Sequence, residues 1–324
     1  VLWGMNGYFQ STGWGPIVRT VSRWFGPARR GRLSALLGPS YVLGHVASWL
    51  LAGWLVARWG WRAAFWIPAA LTIASVLHWI VRVRNSPQDV GGELVNWETG
   101  KLVNQETGIA YQSTNLPIYQ YTHWGWRGVL RRTFAHARLR WAALTNAAQG
   151  FVQGSAVLWV PTYLVEALNV GIGGAATGAV VFPLCGLAGV LVGGWASDRF
   201  FRSRVAPMTA VMMAGLAASV LATSFLAPQG SLALSMALLG LIGAITHGVG
   251  SILVTVLPLS LGHEGGVSSA AGFLDFAGYI GAGVGGLLAG ALVDGWGWDA
   301  VFVCWAVVAL VGLATTVPLL RSEG

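Results

Sequence analysis

Long stretches of this chain contain no charged residue. Asp, Glu, Lys and Arg are absent from Leu33 to Ala57, Ala63 to Ile80, Trp141 to Val165, Ala167 to Ser197, Val205 to His263 and Ala300 to Leu320. A helix rises ~1.5 Å per residue, so about 20 apolar residues cross the hydrocarbon core of a bilayer. Inside lipid every backbone N–H and C=O has to be satisfied within the structure, and apolar runs of this length do so as helices. Charged residues make up 9% of the chain, against roughly 25% in a soluble domain. A soluble fold is excluded. The composition points to an all-α polytopic membrane protein, with 46 glycines for close helix packing.

The runs predict nine spans: about Leu2–Val21, Leu33–Ala57, Ala63–Val81, Trp141–Val165, Gly174–Ala196, Ala206–Phe225, Leu232–Leu259, Ser268–Val293 and Ala300–Leu320. A polar segment divides them, giving an N-terminal part over 1–83 with three spans, a linker over 84–140 and a six-helix half over 141–324. An internal repeat sets the count. Residues 50–65 read LLAGWLVARWGWRAAF and residues 287–302 read LLAGALVDGWGWDAVF, identical at eleven of sixteen positions. Such self-similarity marks two related halves. The repeat closes the second span and the eighth, so a shift of six helices superposes the halves. The expectation is therefore helices 4 to 12 of a twelve-helix bundle, with three helices ahead of Val1.

Charge sets the orientation. Seventeen of the 19 basic residues fall on one set of alternating segments, and only Arg58 and Arg62 on the other. The positive-inside rule then places the linker and the C-terminus in the cytoplasm. It also explains the net charge of +8 without a nucleic-acid partner. Cys185 and Cys304 lie inside apolar runs and read as packing residues.

The linker carries octads over 94–125 (LVNWETGK, LVNQETGI, AYQSTNLP, IYQYTHWG), which read as an expanded cytoplasmic loop or a regulatory segment. Residues 126–141 place Trp126, Leu130, Phe134, Ala137 and Trp141 on one helical face and Arg127, Arg131 and Arg138 on another. That pattern suits a helix at the membrane surface, or a solvated connector.

Polar residues inside spans cost energy and mark a pathway or a helix contact. They recur at helical spacing: Asn6 and Gln10; Tyr41 and His45; Asn146, Gln149 and Gln153; His247, Ser251 and Thr255; Asp275 and Tyr279. The amides serve either a solute or neighbouring helices. His247 is a packing histidine or a titrating one. Asp275, the only acidic residue well inside a span, has a coupling or substrate role or else a structural partner.

Asn6-Gly7-x-Phe9-Gln10 with Gly13-Trp14-x-Pro16 and Arg19-Thr20, Trp159-x-Pro161-Thr162-Tyr163-Leu164, Ala271-Gly272-Phe273, Gly278-Tyr279-x-Gly281 and the GGWASDRFFRSR run at Gly193–Arg204 together resemble the major facilitator superfamily. Within it the chain resembles the organophosphate:phosphate antiporter family, which includes glycerol-3-phosphate and hexose-phosphate transporters. The resemblance implies a bundle whose helices 1, 4, 7 and 10 line a central cavity. That makes Asn6, Gln10, Gln149, Gln153 and His247 substrate-binding candidates. Tyr41 falls where the family has a helix 5 histidine, and Tyr279 and His247 where it has site tyrosines. Asp275 and His247 are the coupling or proton candidates. Asp198, Arg199 and Arg202 would form the latch that ties neighbouring helices on the cytoplasmic face. Gln153 stands where the family has its helix 7 arginine. A dianionic phosphate favours charge-assisted donors, and no Lys or Arg lies deep in any span after Arg19.

The function expected is secondary active transport of a small polar or anionic solute by alternating access, with a coupling ion or counter-substrate, in the cell membrane. A membrane sensor of the same family and an inactive fragment are the alternatives. Neither a Walker motif nor a metal-ligand cluster occurs in the sequence, so no enzymatic activity and no cofactor are expected.

Overall fold

A computed structural model describes residues 27–84, 94–95, 102–103, 136–201, 204–226, 232–260 and 267–321. Its helices are α1 (Pro27–Trp59), α2 (Ala63–Arg82), α3 (Ala137–Glu166), α4 (Ile172–Ala179), α5 (Val181–Phe201), α6 (Val205–Leu226), α7 (Leu232–Ser251), α8 (Leu257–Ser260), α9 (Val267–Trp296) and α10 (Trp298–Arg321). Eight of the nine expected spans fall on these helices. The first, Leu2–Val21, lies outside the described residues, as does the expected surface helix as far as residue 135. Among the described residues, six segments are long and apolar enough to span a bilayer on that ground alone: Ala63–Arg82, Ile172–Phe201, Val205–Leu226, Leu232–Val256, Ala270–Trp296 and Trp298–Arg321. The protein is an all-α, multi-pass membrane protein.

Within the octads, β1 (Leu94–Val95) pairs antiparallel with β2 (Leu102–Val103). The loop expected there thus holds a short ladder, made by the Leu-Val pair that opens each of the first two octads.

The chain forms two compact units, one of residues 1–41 and 61–118, the other of residues 42–60 and 119–324. In the first, α2 has no buried residue, and its side chains, including Trp66, Leu71, Ile73 and Ile80, are exposed. Lipid, unlike water, accommodates such a surface. Thr72 and Ser75 satisfy their hydroxyls on the carbonyls of Pro68 and Leu71, both at 2.8 Å, so the helix needs no polar partner.

The second unit packs around α3, with α9, α7 and α10 against it. Small residues set the spacing between helices, because van der Waals packing drives helix association in lipid. A Cβ placed on Gly281 of α9 would lie 1.9 Å from the carbonyl oxygen of Ala147 in α3, and one on Gly189 of α5 would lie 1.9 Å from that of Ala244 in α7. Backbone therefore touches backbone at both crossings. Leu164, Met213, Leu216, Ile242, Leu253, Leu274 and Leu319 fill the fully buried interior. At one end Trp159, Tyr163, Trp298, Phe302 and Trp305 stack edge to face, with Tyr163 5.2 Å from both Trp298 and Phe302. Two indole N–H groups find acceptors there: Trp159 donates to Gly286 O at 2.9 Å and Trp305 to Ser155 Oγ at 3.0 Å.

Proline explains two interruptions. Pro183 lacks the N–H that would continue helical bonding to Ala179, and the fifth span breaks at Val180. Pro258 follows a π-turn over Ile252–Val256, in which Leu257 N–H reaches back to Ile252 O. The wider turn accommodates the proline ring within the span. The sequence repeat also appears as a repeated backbone. Gly60 and Gly297 share a φ of 79°. Each N–H closes its helix at 3.0 Å, on Val56 O and Val293 O respectively. Glycine takes this left-handed conformation without the Cβ penalty, which suits it to a helix end.

Candidate functional site

The polar face of α3 meets two different helices. Asn146, buried, donates from Nδ2 to Leu274 O of α9 at 2.8 Å. Gln149, 2% exposed, donates from Nε2 to Thr246 O of α7 at 2.8 Å and to Oε1 of Gln153. Gly250 lies beside this amide, where a Cβ would come within 3.3 Å of Gln149 Nε2. Gln153 is only half-buried. Two of the three amides on this stripe therefore tie helices together, as polar groups in lipid commonly do. Gln153 is the one that reaches the surface of the unit.

His247 lies on α7 but turns toward α5. Its Nδ1 bonds Gly243 O at 2.8 Å, its ring meets Phe182 edge to face at 5.6 Å, and a Cβ on Gly186 would lie 2.6 Å from the imidazole. The ring occupies a notch that only glycine leaves open. His45 of α1, half-buried, interacts electrostatically with it. Further along α7, Ser251 is half-buried, and Thr255, inside the π-turn, is exposed.

Asp275 and Tyr279 sit one turn apart on α9, and both are exposed, Tyr279 at 62%. They share a face with Phe276 and Ile280 that does not enter the unit's core. Arg199 is exposed in the last turn of α5. Asn6, Gln10 and Arg202 lie outside the described residues, as do the side chains of Tyr41 and Asp198.

The site candidates that the structure brings together are Gln149 and Gln153, with Thr246 as their anchor. Sequence reasoning did not single out Thr246, because what it contributes is a main-chain carbonyl. The notch around His247 left a fainter signal, the glycines of α5 at 186, 189 and 193. Among the described residues no group of three or more His, Cys, Asp or Glu side chains could hold a metal ion.

Comparison with known proteins agrees with this architecture. Residues 1–274 match the Major Facilitator Superfamily. The chain is 29% identical, over 96% of its length and 69% of the relative's, to the glycerol-3-phosphate transporter of Bacillus subtilis (strain 168). It is 26% identical, over 100% of its length and 71% of the relative's, to the membrane sensor protein UhpC of Escherichia coli (strain K12). Among solved structures it resembles a bacterial homolog of the human lysosomal transporter Spinster, captured inward-facing and unoccupied. The TM-score is 0.62 at 18% identity, covering 94% of this chain and 72% of that one, a likeness of fold.

Proposed function

The chain belongs to the Major Facilitator Superfamily, and from that premise we propose that it moves a small polar or anionic solute across the cell membrane by secondary transport. Two six-helix halves, to which 1–83 and 141–324 belong, would expose a mid-membrane site to each side in turn, joined by a cytoplasmic linker over 84–140. The single observation that carries this reading is the amide face of α3, where Asn146, Gln149 and Gln153 line one stripe of a helix whose buried side chains are mostly apolar. Amides inside a bilayer are retained for a polar solute or a helix contact. Here Asn146 and Gln149 supply the contacts and leave Gln153 for the solute.

Asn6, Gln10, Tyr41 and His247 are further candidates for solute contact. Asp275 and Tyr279 would meet the coupling ion or counter-substrate. The cytoplasmic latch would use Asp198, Arg199 and Arg202. The glycerol-3-phosphate transporter among the relatives sets small organic phosphate esters as the reference class. The relative that is a membrane sensor supports a second reading, solute sensing without net transport.

Counterflow in proteoliposomes separates the two. Preloaded solute that accelerates uptake of labelled solute supports transport. Saturable binding with no counterflow supports the sensor and rejects transport.

A further inference from the structure

We infer that Gln153 reads the solute through a neutral amide donor held in place by Gln149 and Thr246, and that this wall selects an uncharged, hydroxyl-bearing group over a phosphoryl dianion. The inference rests on the transport reading. Its starting point is the direction of the hydrogen bonds. A main-chain carbonyl can only accept, so the bond to Thr246 O fixes the Gln149 group facing α7 as its NH2. The same nitrogen also donates to Gln153, whose bonded atom must then be the carbonyl oxygen. The carbonyl of Gln153 is thereby occupied, and its NH2 takes no partner among the described residues. Gly250 leaves room for this relay, since a larger residue would crowd Gln149 Nε2.

The donor that results carries no charge, and no ion pair is needed to hold it: Gln149 and Thr246 O alone fix it among the described residues. Every Lys and Arg in the described helices lies within two turns of a helix end. His247 directs Nδ1 to Gly243 O and lays its ring against Phe182 and Gly186. A dianion brought against this wall loses its hydration and gains neutral hydrogen bonds, which are about half as strong as charge-assisted ones. A hydroxyl or carbonyl oxygen loses much less solvation for the same bond. Gln149 is a positioning residue and Gln153 the specificity-determining one.

The test uses the full chain, purified and reconstituted, with glycerol, glycerol 3-phosphate and inorganic phosphate as probes. The readout is the ratio of their affinities, which a merely structural role for the amides would not move. The wild type should bind glycerol at least about tenfold more tightly than glycerol 3-phosphate, and Gln153→Arg should reverse that preference by a similar factor. Gln153→Lys serves the same purpose if the arginine variant does not fold. Gln149→Met frees the Gln153 carbonyl and should bring the ratio toward unity in protein that still folds. Tighter binding of glycerol 3-phosphate by the wild type, binding of none of the probes, or a ratio that Gln149→Met leaves unchanged would overturn the inference. Intact binding ratios without counterflow would instead reject transport and leave the amide relay standing.

Discussion

Replacing Gly281 with alanine adds a single methyl group where α9 crosses α3. That carbon would stand 1.9 Å from the carbonyl oxygen of Ala147, and ordinary contact begins at 3.4 Å, so the helices must part locally by about 1.5 Å. Hydrogen bonds flank the crossing on both sides: Asn146 to Leu274 O at 2.8 Å, and Trp159 to Gly286 O at 2.9 Å. A separation of that size breaks both, at about 0.6 kcal/mol each in a membrane protein. Overpacking adds about 1–3 kcal/mol. Alanine recovers about 1 kcal/mol of helix propensity in either of two positions on α9. Gly283, two residues along the same helix, is exposed with nothing within 4 Å of its would-be Cβ. It therefore receives the propensity gain without the clash. Unfolding of the purified variants in detergent, by heat or by SDS titration, should rank Gly281→Ala about 2–4 kcal/mol below Gly283→Ala. Equal midpoints would refute the claim that backbone contact between α3 and α9 holds this unit together.

Three further outcomes follow from the same structure. Gly60→Ala and Gly297→Ala each force alanine to a φ of 79°; both should lower stability by about 1–2 kcal/mol in the same unfolding measurement, and equally, because the repeat gives them the same cap. Asp275→Asn should abolish coupled accumulation in proteoliposomes while leaving counterflow intact; accumulation at the wild-type level would remove Asp275 from coupling. A reporter fused after Gly324 should be active only in the cytoplasm, as the positive-inside rule predicts, and activity on the outer side would contradict that expectation.

The spans were legible because charge is so costly in lipid that a run of about 20 residues without it is the mark of a membrane-crossing helix. Their ends were less so. Helix α3 starts at Ala137 and takes in Arg138 and Arg140 ahead of the apolar run, since long basic side chains can reach the interface while the helix continues. The repeat predicted a shared helix exit, and the structure gives it a shared cap at Gly60 and Gly297. The breaks at Val180 and in the π-turn depend on how single prolines are accommodated by neighbours, which spacing alone does not reveal. The same limit applied to the site. A separation of three or four placed Asn146, Gln149 and Gln153 on one stripe, but periodicity does not name the helix opposite. Asn146 and Gln149 turned out to tie α3 to α9 and α7, and His247 turned into a notch on α5. Those outcomes were decided by glycines that let the backbones approach.

Counterflow tests the central claim most directly. The purified chain, reconstituted into liposomes preloaded with an unlabelled small polar or anionic solute that it binds, should take up the labelled solute transiently above equilibrium and without ATP. Saturable binding of that solute with uptake no faster than in protein-free liposomes would contradict the account.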